Sequence, residues 1–244
     1  MVFDGSAVLI TGASRGIGKA TAQEFLAGGA RVAINGRTEA SVAHAIKELG
    51  GHERLVAAPG DVATAQGCEA VVGAAIEALG GLDVLVNSAG VYTETPMVET
   101  DEYLWDWVID INVKGTYFCS RAALSALDKS GGAIVNVASE SGLNGYAGET
   151  AYCASKGAVV NLTRSMALEL APTVRVNCVC PGIIDTDMGR GDSADVSEMA
   201  KLYPLKRIGT PEEVAKAIVY LASPDAGFIT GAALAIDGGA TAGH

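Results

Sequence analysis

Seven short runs rich in valine and isoleucine punctuate the chain: "AVLI" (7–10), "RVAI" (31–34), "RLVAA" (54–58), "DVLV" (83–86), "AIVNV" (133–137), "RVNCV" (175–179) and "ALAI" (233–236). Runs that are apolar at nearly every position have no solvent-facing side, which is the pattern of parallel strands covered on both faces. Between them lie stretches of helical periodicity at 17–28, 39–49, 64–79, 101–128, 151–170 and 211–222. Strand–helix alternation at this spacing predicts βαβ units with right-handed crossovers and an α/β, doubly wound parallel sheet flanked by helices on both faces. No linker, low-complexity tract or internal repeat divides the 244 residues, so one domain over 1–244 is expected.

Composition narrows the function classes. An apolar fraction of 49% supplies a substantial core. With 17 basic against 28 acidic residues the net charge is −11, which repels phosphate backbones, so nucleic acid is not an expected partner. The five cysteines follow no metal-ligand spacing, and His44, His52 and His244 lie far from them, so no metal is expected. Cys178 and Cys180 alternate with Val179 on one strand face and are poorly placed to pair with each other. No signal peptide and no apolar stretch of membrane-spanning length is visible, so a cytoplasmic protein with reduced thiols and no membrane partner is expected. One stretch, "DTDMGRGDSADVSEMAKLYPLKRIGT" (185–210), breaks the rhythm, and insertions of this length predict a flap over a ligand, here about 187–204.

Open α/β sheets bind ligands beyond the carboxyl ends of their strands. The first strand ends in "TGASRGIG", with Thr11, Gly12, Ser14, Arg15, Gly16, Ile17 and Gly18 at the turn into a helix. Glycines there let backbone N–H groups and the helix N-terminus face a pyrophosphate without Cβ atoms in the way. An NAD site places a carboxylate after the second strand to take the ribose hydroxyls. Here Asn35 and Gly36 precede Arg37, and an arginine attracts the 2′-phosphate that a carboxylate would repel. NADP(H) is therefore expected over NAD(H), with Arg15 as a second cation.

Tyr152 and Lys156, in "YCASK", are four apart and share one helix face. In order and interval, "TGASRGIG", "NSAG" (87–90) and "YCASK" (152–156) resemble the short-chain dehydrogenase/reductases. The resemblance spans nearly the whole chain, through "DV" (61–62), "INVKG" (111–115), "CPGIIDT" (180–186), "PLKRIGTPEEVA" (204–215) and "ITGAALAIDGG" (229–239). It implies a Rossmann-type fold and an oxidoreductase that moves a hydride between nicotinamide and a ketone or secondary alcohol.

By that resemblance Tyr152 is the general acid/base and Lys156 holds the nicotinamide ribose while its charge lowers the phenol's pKa. The third partner is implied at Ser139, thirteen residues before the tyrosine, with Ser141 a local structural hydroxyl. Asn112 matches an asparagine that holds a relay water. Asp61 and Val62 match positions beside the adenine, Asn87, Ala89 and Gly90 the wall under the adenosine ribose. Pro181, Gly182, Ile184 and Thr186 match the segment that fixes the nicotinamide carboxamide. The family commonly forms homotetramers through helices here at about 101–128 and 151–170. The nearest motif match, through "PGIIDTDM" and "PLKRIG", is to beta-ketoacyl carrier-protein reductases. Those carry arginines where this chain has "DKSGGA" (128–133) and "APTV" (171–174), with Lys129 alone before Arg175. An acidic carrier would need such bases to dock, so a simpler carbonyl substrate is expected, and an NADP(H)-sensing binding protein is the non-enzymatic alternative.

Overall fold

A computed structural model describes residues 2–190 and 195–243; Gly191–Ala194, within the expected flap, lie outside the described residues. The strands are β1 (Ala7–Thr11), β2 (Arg31–Ile34), β3 (Leu55–Ala57), β4 (Val84–Asn87), β5 (Ala133–Val137), β6 (Arg175–Pro181) and β7 (Ala233–Ile236). They form one parallel sheet in the order β3-β2-β1-β4-β5-β6-β7. The order reverses between β1 and β4, so the chain leaves these neighbours toward opposite sides and opens a crevice at their carboxyl ends.

Alternate side chains of β1 show why its run had to be apolar throughout. Val8 and Ile10 pack with Phe25 of α1 (Gly16–Ala27) and with Val214 and Ile218 of α9 (Pro211–Ala222). Leu9 packs on the other side with Val71 of α3 (Ala65–Leu79), and with Leu127 of α5 (Gly115–Ser130). On that face, too, lies α6 (Thr150–Leu170), which contributes Met166 and Ala167. Burying each such side chain contributes about 1.5–3 kcal/mol. Local signals agree with the elements: Thr38 and Ser41 form a reciprocal cap on α2 (Glu39–Glu48), and Thr210, Pro211 and Glu213 open α9.

The stretch expected as one helix over 101–128 is instead α4 (Glu102–Ile109), a wider π turn over Asp110–Lys114, and then α5. The cause is Asn112, whose amide is drawn onto the backbone of Val91: its Oδ1 accepts from Val91 N at 2.8 Å and its Nδ2 donates to Val91 O at 2.9 Å. The described parts of the flap carry regular structure. They hold α7 (Asp187–Arg190) and α8 (Val196–Lys201), and the flap's end is pinned by Tyr203, only 3% exposed. Among the described residues no helix is long and apolar enough to cross a membrane.

Candidate active site

The crevice is built by ties between strand ends. Oγ1 of Thr11 accepts from the N–H groups of Ser88 and Ala89, both at 3.1 Å, which staples β1 to the loop after β4. Gly12 follows with φ +64°, and a Cβ there would lie 2.6 Å from Ala89 Cα, so the approach admits only glycine. The N–H of Gly12 reaches Oδ1 of Asn35 at 3.3 Å, and the Asn35 amide donates to the carbonyls of Ala58 (2.9 Å) and Gly60 (3.0 Å). One buried amide thus joins the ends of three strands. The α1 helix then begins at Gly16 with no side-chain cap from Arg15, leaving its first N–H groups free to face an anion at the crevice.

Ser14 and Gly36 touch: a Cβ on Gly36 would meet Ser14 Cβ at 3.2 Å. Beside them Arg37 is exposed and forms no ion pair among the described residues. Arg15, the expected second cation, lies 3.8 Å from Asp187, with both side chains largely exposed. Asp61 is exposed and accepts from Ala63 N at 3.0 Å, while Val62 is buried. Asn87 meets the crevice by its backbone. Its amide runs into the protein, donating to Ser120 Oγ and Asn136 Oδ1, both at 2.9 Å, so only its backbone, with Ala89 and Gly90, is available to the crevice. Pro181 ends β6, Ile184 is buried in a bridge to Gly209, and the methyl of Thr186 lies against Gly16. The chain after β6 therefore returns to the glycine turn.

Ser139, Tyr152 and Lys156 meet at the carboxyl end of β5. Ser139 caps a short turn, accepting from Ser141 N at 3.1 Å, and its hydroxyl lies beside the Tyr152 phenol. Lys156 is buried, 5.7 Å from the Tyr152 ring centre, and donates to Val137 O at 3.0 Å. Gly90 is the gap between them and the crevice: a Cβ there would fall 3.3 Å from Asn112 Oδ1 and 3.4 Å from Lys156 Nζ. Asn112 completes its bonds with Ser155 Oγ at 3.0 Å. Ser141 is turned away, donating to Glu149 at 3.1 Å.

Burial dominates the electrostatics of this pair. Burial pushes the Tyr152 phenol up to about 12, with Glu149, Cys153 and Glu140 adding to the rise and only the Ser139 bond opposing it. Burial likewise depresses the Lys156 ammonium to about 8. In this geometry desolvation outweighs attraction.

Three residues that shape the site, Asn35, Glu149 and Tyr203, were not legible in the sequence. For Asn35, a polar residue ending an otherwise apolar strand is the only signal. Tyr92 stands edge-on to Tyr152 at 4.9 Å, its hydroxyl donating to Glu149 at 3.0 Å. Glu149 therefore orients the aromatic wall of the site. Tyr203, the one aromatic of the 185–210 stretch, reaches Glu140 beside the serine.

Comparison with known proteins shows to which family the chain is similar. A family model described as Enoyl-(Acyl carrier protein) reductase matches residues 12–241. Meso-2,3-butanediol dehydrogenase of Serratia marcescens is 42% identical over 244 aligned positions, covering 99% of this chain and 97% of the relative. A 3-oxoacyl acyl-carrier-protein reductase of Chlamydia muridarum is 37% identical, covering 96% of each. A solved short-chain dehydrogenase/reductase of Brucella melitensis, described as a glucose/ribitol dehydrogenase, superimposes with a TM-score of 0.92 at 37% identity, covering 98% of each chain.

Proposed function

Because this chain belongs to the short-chain dehydrogenase/reductase family, we propose that it is an NADP(H)-dependent oxidoreductase. It would interconvert a small or medium-sized ketone and its secondary alcohol. The observation that carries the reading is the convergence of Ser139, Tyr152 and Lys156 behind Gly90, at the crevice between β1 and β4.

The residues present fit a dinucleotide. The uncapped start of α1 and the Gly12 and Gly16 turns suit its pyrophosphate, and the side-chain-free Gly90 suits a ribose lying against Lys156. Ser14 and the unpaired Arg37 would take a 2′-phosphate, with Asp61 and Val62 beside the adenine. Pro181, Gly182, Ile184 and Thr186 would hold the carboxamide end. When bound, the nicotinamide supplies or accepts the hydride. Ser139 holds the substrate oxygen by its hydroxyl, and Tyr152 gives that oxygen its proton in reduction or takes it in oxidation. Lys156, anchored on Val137, would give its remaining N–H groups to the ribose. Asn112 keeps the 90–91 turn against Lys156 and would hold the relay water.

Two observations favour a simple carbonyl over a carrier-bound thioester. The Arg175 guanidinium is spent inside the protein, on the carbonyls of Leu221, Ala222, Ser223, Ala226 and Ile229, and Lys129 remains the lone cation of that region. The butanediol-acting relative supports the same choice. A homotetramer built on α4, α5 and α6 is the proposed assembly, with Trp105 and Tyr117 exposed on that face.

The test is dinucleotide oxidation by the purified protein with a panel of ketones, hydroxyketones and acyl thioesters. Turnover with NADPH at least about tenfold above NADH is expected, and Arg37→Asp should invert that preference. Unchanged selectivity in the variant would reject the NADP(H) assignment, and binding without turnover on any substrate would favour a sensor.

A further inference from the structure

We propose that Glu140 is a positioning residue that, through Tyr203, fixes the turn after β6 on which the nicotinamide end of the cofactor would rest. The proposal rests on the functional reading above. Glu140 follows Ser139 directly and is 8% exposed. Its Oε1 accepts from the Tyr203 hydroxyl at 2.8 Å, and the same hydroxyl accepts from the backbone N–H of Ile183 at 2.6 Å. The serine turn, the end of the 185–210 stretch and the turn after β6 are thereby joined through one phenol oxygen, across separations of 63 and 20 residues.

Gly182 shows how tightly the joint is built. A Cβ there would stand 2.9 Å from Tyr203 Cε1 and 3.1 Å from Glu140 Oε2. The glycine lets the two side chains close over the turn. Packing alone does not explain a carboxyl at this place, since an apolar side chain of similar size would avoid the cost of desolvating it. What a carboxylate adds is direction. Ionised, it only accepts, so the single Tyr203 proton must point to Glu140, and the phenol oxygen keeps its lone pairs for Ile183. Protonated, it loses the charge that strengthens this bond.

The second carboxyl oxygen, Oε2, is buried without a hydrogen-bond partner. It is the free position for a proton when Oε1 is held by Tyr203. The surroundings make that protonation accessible. Burial, with the charges of Asp237 and Glu149 adding to it and only the Tyr203 bond opposing, raises the Glu140 pKa to about 7. Tyr146 and Tyr152 also face it, and Ser139 and Ser141 flank it in sequence. As a raised carboxyl, Glu140 is neutral below that value and charged above it, so the joint tightens as pH rises through neutrality.

The experiment is NADP(H) affinity by titration calorimetry from pH 5.5 to 8, with steady-state kinetics, for the native protein, Glu140→Gln, Tyr203→Phe and the double variant. The native protein should bind about five- to tenfold more weakly at the acid end, and Glu140→Gln should remove that step. Tyr203→Phe should weaken binding about tenfold while kcat at saturation changes less, and the double variant should be no worse than Tyr203→Phe. Persistence of the pH step in Glu140→Gln, or native affinity in Tyr203→Phe, would overturn the proposal. Should Glu140→Gln fail to fold, Tyr203→Phe alone decides. A native protein that turns over ketone while both variants behave like it sinks only the joint; one that binds no nicotinamide dinucleotide sinks the functional reading as well.

Discussion

Lys156 carries its charge where the charge costs stability. Its ammonium is buried among Val137, Gly90 and the Tyr152 ring, and burial lowers its pKa to about 8. Between about pH 8 and the ordinary lysine value near 10.4, the unfolded chain holds a proton that folded Lys156 has released. Stability from this group therefore rises with pH across that window and is lost as pH falls through 8. Lys156→Met should abolish turnover yet raise the melting temperature at pH 7, by an amount equivalent to about 2–3 kcal/mol, with the gain over native shrinking toward pH 10. Thermal melts at pH 7 and 9.5 check this; a destabilised variant at pH 7 would contradict it. Asn35 poses the opposite case, since its amide donates to the Ala58 and Gly60 carbonyls. Asn35→Asp removes the donor and sets a carboxylate against two carbonyls, so a loss of about 2–4 kcal/mol in chemical unfolding is expected, together with weakened dinucleotide binding.

Elements were legible where their cause is local, and illegible where it is not. The strands could be found because both faces of a parallel sheet are buried, so the apolar run is itself the signal. The observed bounds differ by one or two residues, as at β6, which runs on to Pro181. The break at Asn112 was hidden because it is made by Val91, 21 residues away, and no helical period records such a bond. The Ser139–Tyr152–Lys156 group was legible as a motif, but its electrostatics were not, since burial is a property of the packed molecule. Arg175 is a further case. In sequence it begins a strand; in the fold its guanidinium gathers the last carbonyls of α9 and the turn beyond. Arg175→Met should orphan those carbonyls and cost about 3 kcal/mol, read as a fall of about 6–12 °C in melting temperature with kcat unchanged in the surviving fold. A melting temperature within 2 °C of native, a bound of about that size being one kcal/mol, would show that water replaces the guanidinium.

At the scale of the whole molecule, a net charge of −11 sets which partners can approach. An acidic carrier protein would meet the repulsion of that charge, and Arg175, sunk in the protein, offers it no docking base. Thioesters on a carrier should accordingly be reduced at least about a hundredfold less efficiently than the best small ketone, and kcat/KM for the carrier should rise with salt. Efficient carrier reduction at low salt would reverse the substrate assignment. All of this depends on one phenol acting as the proton carrier beside a bound nicotinamide. The most direct measurement is single-turnover reduction by Tyr152→Phe, paired with its NADPH affinity. Because a positioned general acid contributes about 10²–10⁴ in rate, the account predicts a loss in that range with dinucleotide affinity within about threefold of native. A variant that binds NADPH normally and still reduces ketone at the native rate would contradict it.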